Sequence, residues 1–220
     1  MPRAFVFDAY GTLFDVHAAI GRHRAAVGAD ADRLSELWRA KQLEYSWTLT
    51  LAGRYADFWT LTERALDFAL ARFTAVDKAM KQKLLDAYMT LDAYPDARAA
   101  LQELKRRGER TAILSNGSPR MLAAAVEASG IGGALDHVLS VDPLRMYKPR
   151  PEVYRLVTDA FAISPGDVVF VSSNRWDVMG AAAVGFQTLW VNRAKMPPEY
   201  DDHPPHSVLN DLGSLPELVL

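Results

Sequence analysis

The sequence predicts an α/β fold, a doubly wound (Rossmann-like) parallel sheet with a helical cap inserted after the first strand. Three observations carry this. Short apolar runs end abruptly in small or polar residues, those runs alternate with helical periodicity, and one long stretch near the N-terminus is helical without a strand pattern. At 220 residues and 50% hydrophobic side chains, the chain can bury a full core together with a modest insertion.

The first run, Ala4 to Phe7, is short enough for a buried strand and ends at Asp8. From about Val16 to Tyr94 the alternation stops. Leu34, Leu37, Trp38 and Lys41, then Phe58, Leu61, Ala65 and Leu66, then Leu84, Leu85 and Tyr88 follow helical spacing. An insertion at this point lies over the carboxyl ends of the strands, where open α/β sheets bind ligands. Residues 16–94 are therefore expected to form a cap, and residues 1–15 with 95–220 the core. Ala97, Ala100, Leu101 and Leu104 mark a core helix that Asp96 can cap and Gly108 can stop. The second run is Thr111 to Leu114. Pro119 opens a helix that ends near Gly130, and the third run, His137 to Val141, follows. A helix from Pro151 to Ala162, a run from Val168 to Val171, a helix from Trp176 to Val184 and a run from Phe186 to Val191 complete the alternation. The four prolines between Met196 and His206 indicate a surface loop.

Composition excludes several function classes. A formal net charge of −2 offers no footprint for nucleic acid, and Lys105, Arg106 and Arg107 sit where cations suit the end of a helix. With no cysteine, disulfides, thiolate catalysis and cysteine-ligated metals are ruled out, which fits a reducing compartment. The N-terminal apolar run breaks at Asp8, too early for a signal-peptide core or a membrane span. A cytoplasmic protein with no membrane and no nucleic-acid partner is expected. The five histidines show no metal-ligand spacing, and Pro204 and Pro205 place His203 and His206 on a loop. No phosphate-binding loop, dinucleotide fingerprint or nucleophile elbow is present.

Polar residues gather where the strands end. Asp8 follows the first run, Ser115 and Asn116 the second, Lys148 lies in the loop after the third, and Ser172, Ser173, Asn174 and Asp177 follow the fourth. Each alone is an ordinary turn or cap residue. Jointly they resemble the haloacid dehalogenase superfamily. Its first motif corresponds to Phe7-Asp8-Ala9-Tyr10-Gly11-Thr12-Leu13, its second to Ser115-Asn116-Gly117, its third to Lys148-Pro149 and its fourth to the Asn174 to Asp177 region. Within it, Leu37-Trp38-Arg39, Lys41-Gln42-Leu43-Glu44-Tyr45, Ser118-Pro119, Tyr147 and Trp176 are similar to the (S)-2-haloacid dehalogenases.

The resemblance implies a HAD-type fold, Asp8 as nucleophile, an ester intermediate and inversion at C2 of a short (S)-2-haloacid. It further implies that Arg39, with Asn116 and the edge of Trp176, receives the halide, and that Lys148 orients Asp8. Ser115 and the backbone N–H groups of Ala9 and Tyr10 would hold the substrate carboxylate. Asp177, with Ser172 and Asn174, would position the hydrolytic water, and Thr12 and Tyr154 would support Asp8 or Lys148. Tyr10, Leu43, Phe58 and Trp176 would wall the pocket. No cofactor is expected, and the family's habit implies a homodimer. Two positions leave the pocket's shape open: Ala40, where relatives often carry Gln, and Arg175, which either points to solvent or crowds the mouth.

Chemistry favours the same branch. Phosphatases of the superfamily place a second Asp two residues after the nucleophile to protonate an alkoxide, and here that position is Tyr10. Halide needs no proton. Magnesium prefers carboxylate and water oxygens, whereas Asn174 stands where an acid would hold it. The alternatives are a Mg²⁺-dependent phosphatase of small molecules and a catalytically silent binding protein on the same scaffold.

Overall fold

The computed structural model describes residues 3–218. Among these residues six parallel strands form one sheet: β1 (Ala4–Phe7), β2 (Arg110–Ser115), β3 (His137–Ser140), β4 (Val168–Ser172), β5 (Gln187–Val191) and β6 (Ser207–Leu209), in the order β3-β2-β1-β4-β5-β6. The five expected runs form β1 to β5 with small changes at their ends. The sixth strand was not foreseen. It is three residues long, too short to show a period, and it forms because β5 offers an open edge after the proline-rich loop.

Helices α1 (Ala18–Gly21), α2 (Arg24–Val27), α3 (Ala31–Leu51), α4 (Phe58–Arg72) and α5 (Met80–Met89) make up the insertion, and no strand lies among them. Its two ends leave the core side by side, since Asp15 N–H donates to the Asp92 carbonyl at 3.0 Å and Tyr94 N–H to the Leu13 carbonyl at 2.8 Å. Apolar packing between α3 and α4 is threaded by a buried polar seam. The Trp38 indole donates to the Thr62 carbonyl and the Gln42 amide to the Thr62 hydroxyl, both at 2.9 Å. Each buried polar group thereby avoids the cost of an unmade hydrogen bond, about 1–3 kcal/mol.

The core helices are α6 (Pro95–Arg106), α7 (Pro119–Ser129), α8 (Pro151–Phe161) and α9 (Arg175–Ala183). Three open on proline at a first-turn position, where its missing N–H costs nothing. Asp96 does not cap α6. Because Pro95 already occupies the first helical turn, the Asp96 carboxylate turns outward to accept from Leu212 N–H and Arg193, tying the C-terminal segment to the core.

Strand order reverses across β1, with β2 and β3 on one side and β4 and β5 on the other. The register pairs Phe7 with both Ile113 and Val171, so the residues just beyond β1, β2 and β4 share one crevice at the carboxyl edge.

Candidate active site

Asp8 is the first residue past β1. Its N–H still bonds the Val171 carbonyl at 3.0 Å, so the strand's own geometry fixes where the carboxylate leaves the sheet. The chain then doubles back: Thr12, Leu13 and Phe14 N–H all point to the Ala9 carbonyl, which leaves the Ala9 and Tyr10 N–H groups outside this turn. Gly11 makes the reversal possible at φ +95°, a conformation that strains other residues. Three donors hold the buried Asp8 side chain. Thr12 Oγ1 (3.0 Å) and Asn174 Nδ2 (2.8 Å) donate to Oδ2, and Lys148 Nζ donates to Oδ1 at 3.1 Å. Arg175 does not block it.

Lys148 is fully buried and bridges two carboxylates, since its ammonium also donates to Asp177 Oδ2 at 2.8 Å. Desolvation alone would lower the Lys148 pKa. The charges of Asp177 and Asp8 outweigh that and raise it, so the lysine stays cationic. Burial pushes the Asp177 carboxyl up to about 6, with Lys148 opposing and Asp8 reinforcing the rise. Tyr154 Oη donates to Asp177 Oδ1 at 2.7 Å and Ser172 Oγ to Oδ2 at 3.3 Å. Tyr154 therefore serves Asp177, correcting the expectation that it supports Asp8 or Lys148. It lies on α8, whose facing helix α9 carries Gly180, where a methyl group would collide with the Tyr154 hydroxyl and Pro149.

Asn174 precedes α9 without capping it. Its amide nitrogen instead faces Asp8 Oδ2 at 2.8 Å and the Tyr10 carbonyl at 3.3 Å. Those two oxygens are the kind that hard cations take, but an NH₂ group is a donor only and repels a cation placed between them. Among the described residues no group of three or more His, Cys, Asp or Glu could hold a metal ion. The donor set does not suit Mg²⁺.

Ser115 closes the turn after β2, its hydroxyl accepting from Gly117 N–H at 3.1 Å. Asn116 Oδ1 accepts from Lys148 N–H at 3.0 Å, which joins the loops after β2 and β3. The insertion lowers further groups onto this edge. Half-buried Arg39 on α3 reaches down to the Tyr10 carbonyl, Nη2 to O 3.1 Å. Tyr10 packs between Phe58 and Tyr88, and its buried hydroxyl has no partner among the described residues. Leu43 lies half-buried one turn along α3 from Arg39, while Ala40 is exposed on the far face. Trp176 meets Trp47 edge to face, and beside them an apolar crevice of about 340 Å³ opens next to Lys148.

Arg175 takes neither expected course. It is buried, donating to the Tyr200 and His203 carbonyls at 3.0 and 2.6 Å, and so straps the proline-rich loop to the core. Tyr147 lines the apolar crevice, Tyr88 packs on Tyr10, and Tyr55, bonded to Asp142, stacks on Tyr147, although no role was expected for any of them. Tyr147 carried a signal as part of a motif and Tyr88 only as one position of a helical pattern.

What this geometry offers is a buried carboxylate held by three donors at the carboxyl edge of the sheet, a second carboxylate with an elevated pKa, and a cation poised above from the insertion. The family model of haloacid dehalogenase-like hydrolases matches residues 2–185. (S)-2-haloacid dehalogenase 1 from Pseudomonas sp. (strain CBS-3) is 52% identical over 99% of this chain and 96% of its own. A crystal structure of a dehalogenase, 50% identical, superposes with a TM-score of 0.96 over 99% of this chain and 97% of that one. The L-2-haloacid dehalogenase from Xanthobacter autotrophicus with chloropropionic acid covalently bound is 38% identical, with a TM-score of 0.88 over 99% and 98% of the two chains. The chain belongs to the haloacid dehalogenase-like hydrolase family.

Proposed function

We propose that this protein hydrolyses short (S)-2-haloalkanoic acids to (R)-2-hydroxyalkanoic acids and halide through an ester on Asp8, with no metal ion. One observation carries the reading: the Asp8 carboxylate is held by Thr12, Lys148 and Asn174, with Tyr10 where a proton-donating acid would stand and an amide where a metal would sit. Such a site can displace a leaving group that needs no proton. The relatives' dehalogenase activity and the covalent chloropropionic acid complex of the Xanthobacter enzyme support it.

An Asp8 oxygen attacks C2 from the side opposite the halogen, the carbon–halogen bond breaks, and halide departs toward Arg39, Asn116 and the edge of Trp176. A fixed cation is most effective where water is excluded. Ser115 and the N–H groups of Ala9 and Tyr10 hold the substrate carboxylate, while Tyr10, Leu43, Phe58 and Trp176 enclose its alkyl group. Water, positioned by Ser172, Asn174 and Asp177, then loses a proton to Asp177 and attacks the Asp8 carbonyl carbon. The departing alkoxide takes that proton to become the 2-hydroxy acid, and the regenerated Asp8 carboxyl releases one proton to solvent. Thr12 holds Asp8, and Tyr154 holds Asp177, through both steps. The same reading divides the chain into the core and a cap of residues 16–94 and places the protein in the cytoplasm as a homodimer. Exposed Leu51 and Phe68 on α3 and α4 supply apolar surface for pairing.

Incubation with each enantiomer of 2-chloropropionate in EDTA tests this. Chloride from the (S) isomer alone, with (R)-lactate as product and no release by Asp8→Asn, is expected. Phosphate release from an ester that depends on Mg²⁺, without chloride, would replace the reading with a phosphatase.

A further inference from the structure

The turn between α3 and α4 is fastened to the core loop of residues 142–147 by contacts that the reaction does not use. Tyr55 Oη donates to Asp142 Oδ1 at 2.5 Å, Tyr147 Oη to the Ala56 carbonyl at 2.6 Å, and Tyr147 N–H to Thr50 Oγ1 at 3.1 Å. The Tyr55 and Tyr147 rings stack with centroids 5.4 Å apart, and the Arg145 guanidinium covers the outer face of this pair, 5.1 Å from the Tyr55 centroid. Burial, reinforced by the Asp142 carboxylate, raises the Tyr55 pKa, so the phenol remains a donor. A short phenol-to-carboxylate bond, half shielded from water, belongs to the stronger class of hydrogen bonds.

Both ends of this fastening lead to the site. On the insertion side, Phe58 begins α4 three residues after Tyr55 and meets the Tyr147 ring edge to face, while Arg39 rides on α3, whose last turn holds Thr50. On the core side, Asp142 N–H donates to Ser140 Oγ, which donates to the Gly117 carbonyl in the loop of Ser115 and Asn116. Tyr147 directly precedes Lys148. The segments that carry Arg39, Phe58, Ser115, Asn116 and Lys148 are thus each tied to the Tyr55–Asp142 pair through short chains of contacts.

We propose that Tyr55 and Asp142 are positioning residues, whose bond seats the insertion on the core and so keeps Arg39 and Phe58 in register with Asp8 and Lys148. This rests on the dehalogenase reading. Without the bond, a smaller fraction of molecules holds the assembled site, and apparent affinity falls by that fraction. Saturating substrate draws the rest into place. KM therefore rises while kcat holds, a split that a purely structural bond would not produce.

Four proteins decide it: the parent, Tyr55→Phe, Asp142→Ala and the double variant, each assayed by chloride release from (S)-2-chloropropionate. Tyr55→Phe keeps the stacked ring, and Asp142→Asn, as a fifth, keeps an acceptor. We expect KM to rise about tenfold in Tyr55→Phe and Asp142→Ala on loss of a hydrogen bond to a charged group, with kcat within about twofold. The double variant should be no worse than the poorer single one, because both remove the same bond, and Asp142→Asn should recover most of the loss. Amide hydrogen exchange should quicken in residues 50–58 and 142–147 together. An unchanged KM, additive losses, or a fall in kcat at constant KM would overturn the proposal. A parent that releases no chloride sinks the dehalogenase reading instead, and the coupled exchange at the two segments still tests the fastening.

Discussion

The carboxyl edge of the sheet and the helical insertion above it build the same site by opposite means. On the sheet side, Asp8, Lys148 and Asp177 form a buried triad in which one ammonium stands between two carboxylates, and each carboxylate accepts from further donors. The insertion contributes Arg39, Leu43 and Phe58, of which Arg39 alone makes a polar bond to the sheet edge, to the Tyr10 carbonyl. With both carboxylates ionised, the triad carries one uncompensated negative charge in a setting where water does not screen it. Arg39 balances that charge from above. Chemistry is thus preorganised on the sheet side, and the charge and shape that admit an anionic substrate arrive with the insertion.

Removing groups from the sheet side should cost most. Lys148→Met leaves two carboxylates buried without a cation. Activity should be lost, and stability should fall by about 3–5 kcal/mol, as for other broken buried pairs, which a urea titration would register. If this variant keeps the parent's stability, the two carboxylates do not depend on the lysine.

Asp177→Asn should separate the two chemical steps. On the proposed mechanism, the first equivalent of halide should be released at a rate near the parent's, whereas steady-state turnover should drop by about two to four orders of magnitude with the proposed general base gone. Intact mass should then show a protein carrying the substrate's 1-carboxyalkyl group in ester linkage to Asp8. The parent's turnover should climb through an acid limb near pH 6, because Asp177, raised to about 6, must be ionised to accept the water's proton. The linkage runs the other way for stability: the folded state binds this proton more tightly than the unfolded chain, so the group's contribution falls as pH rises from about 4 through 6. The Tm of Asp177→Asn should therefore gain on the parent's over that range.

Changes in the insertion should be milder and should depend on the leaving group. Arg39→Lys keeps the charge but not the planar fork, so a loss of about ten- to a hundredfold in kcat/KM is expected, larger for chloride than for bromide. Equal losses for both halides would mean that Arg39 binds the carboxylate instead. The smallest effect belongs to Phe58→Leu, a volume-reducing change in an apolar wall, expected to alter preference among alkyl chains by about tenfold or less.

The two halves also differed in how far they could be read from sequence. Strands β1, β2, β4 and β5 show as apolar runs because a strand buried on both faces must be nearly apolar throughout, edge strand β3 shows only through Val138 and Leu139, and the polar residues that follow the buried strands mark the crevice directly. Asp8, Ser115 and Asn174 were visible for that reason, and Lys148 as part of a motif in the loop after β3. Helical spacing revealed that α3 and α4 exist and which faces they bury, but not which residues meet the core. Ala40 proved to be exposed, Arg175 buried, and Tyr154 attached to Asp177. Tyr55 and Asp142 are 87 residues apart on two turns, and no local period relates residues that only the docking of insertion on core brings together.

The nucleophilic role of Asp8 is tested most directly by one turnover in H₂¹⁸O with enzyme in excess over (S)-2-chloropropionate, followed by mass analysis of both lactate and the peptide containing Asp8. If Asp8 attacks C2, the first lactate carries unlabelled oxygen at C2 and the label appears in the Asp8 carboxylate. Label in the lactate hydroxyl after that single turnover, with none in the peptide, would mean that water attacks C2 directly and would contradict the account.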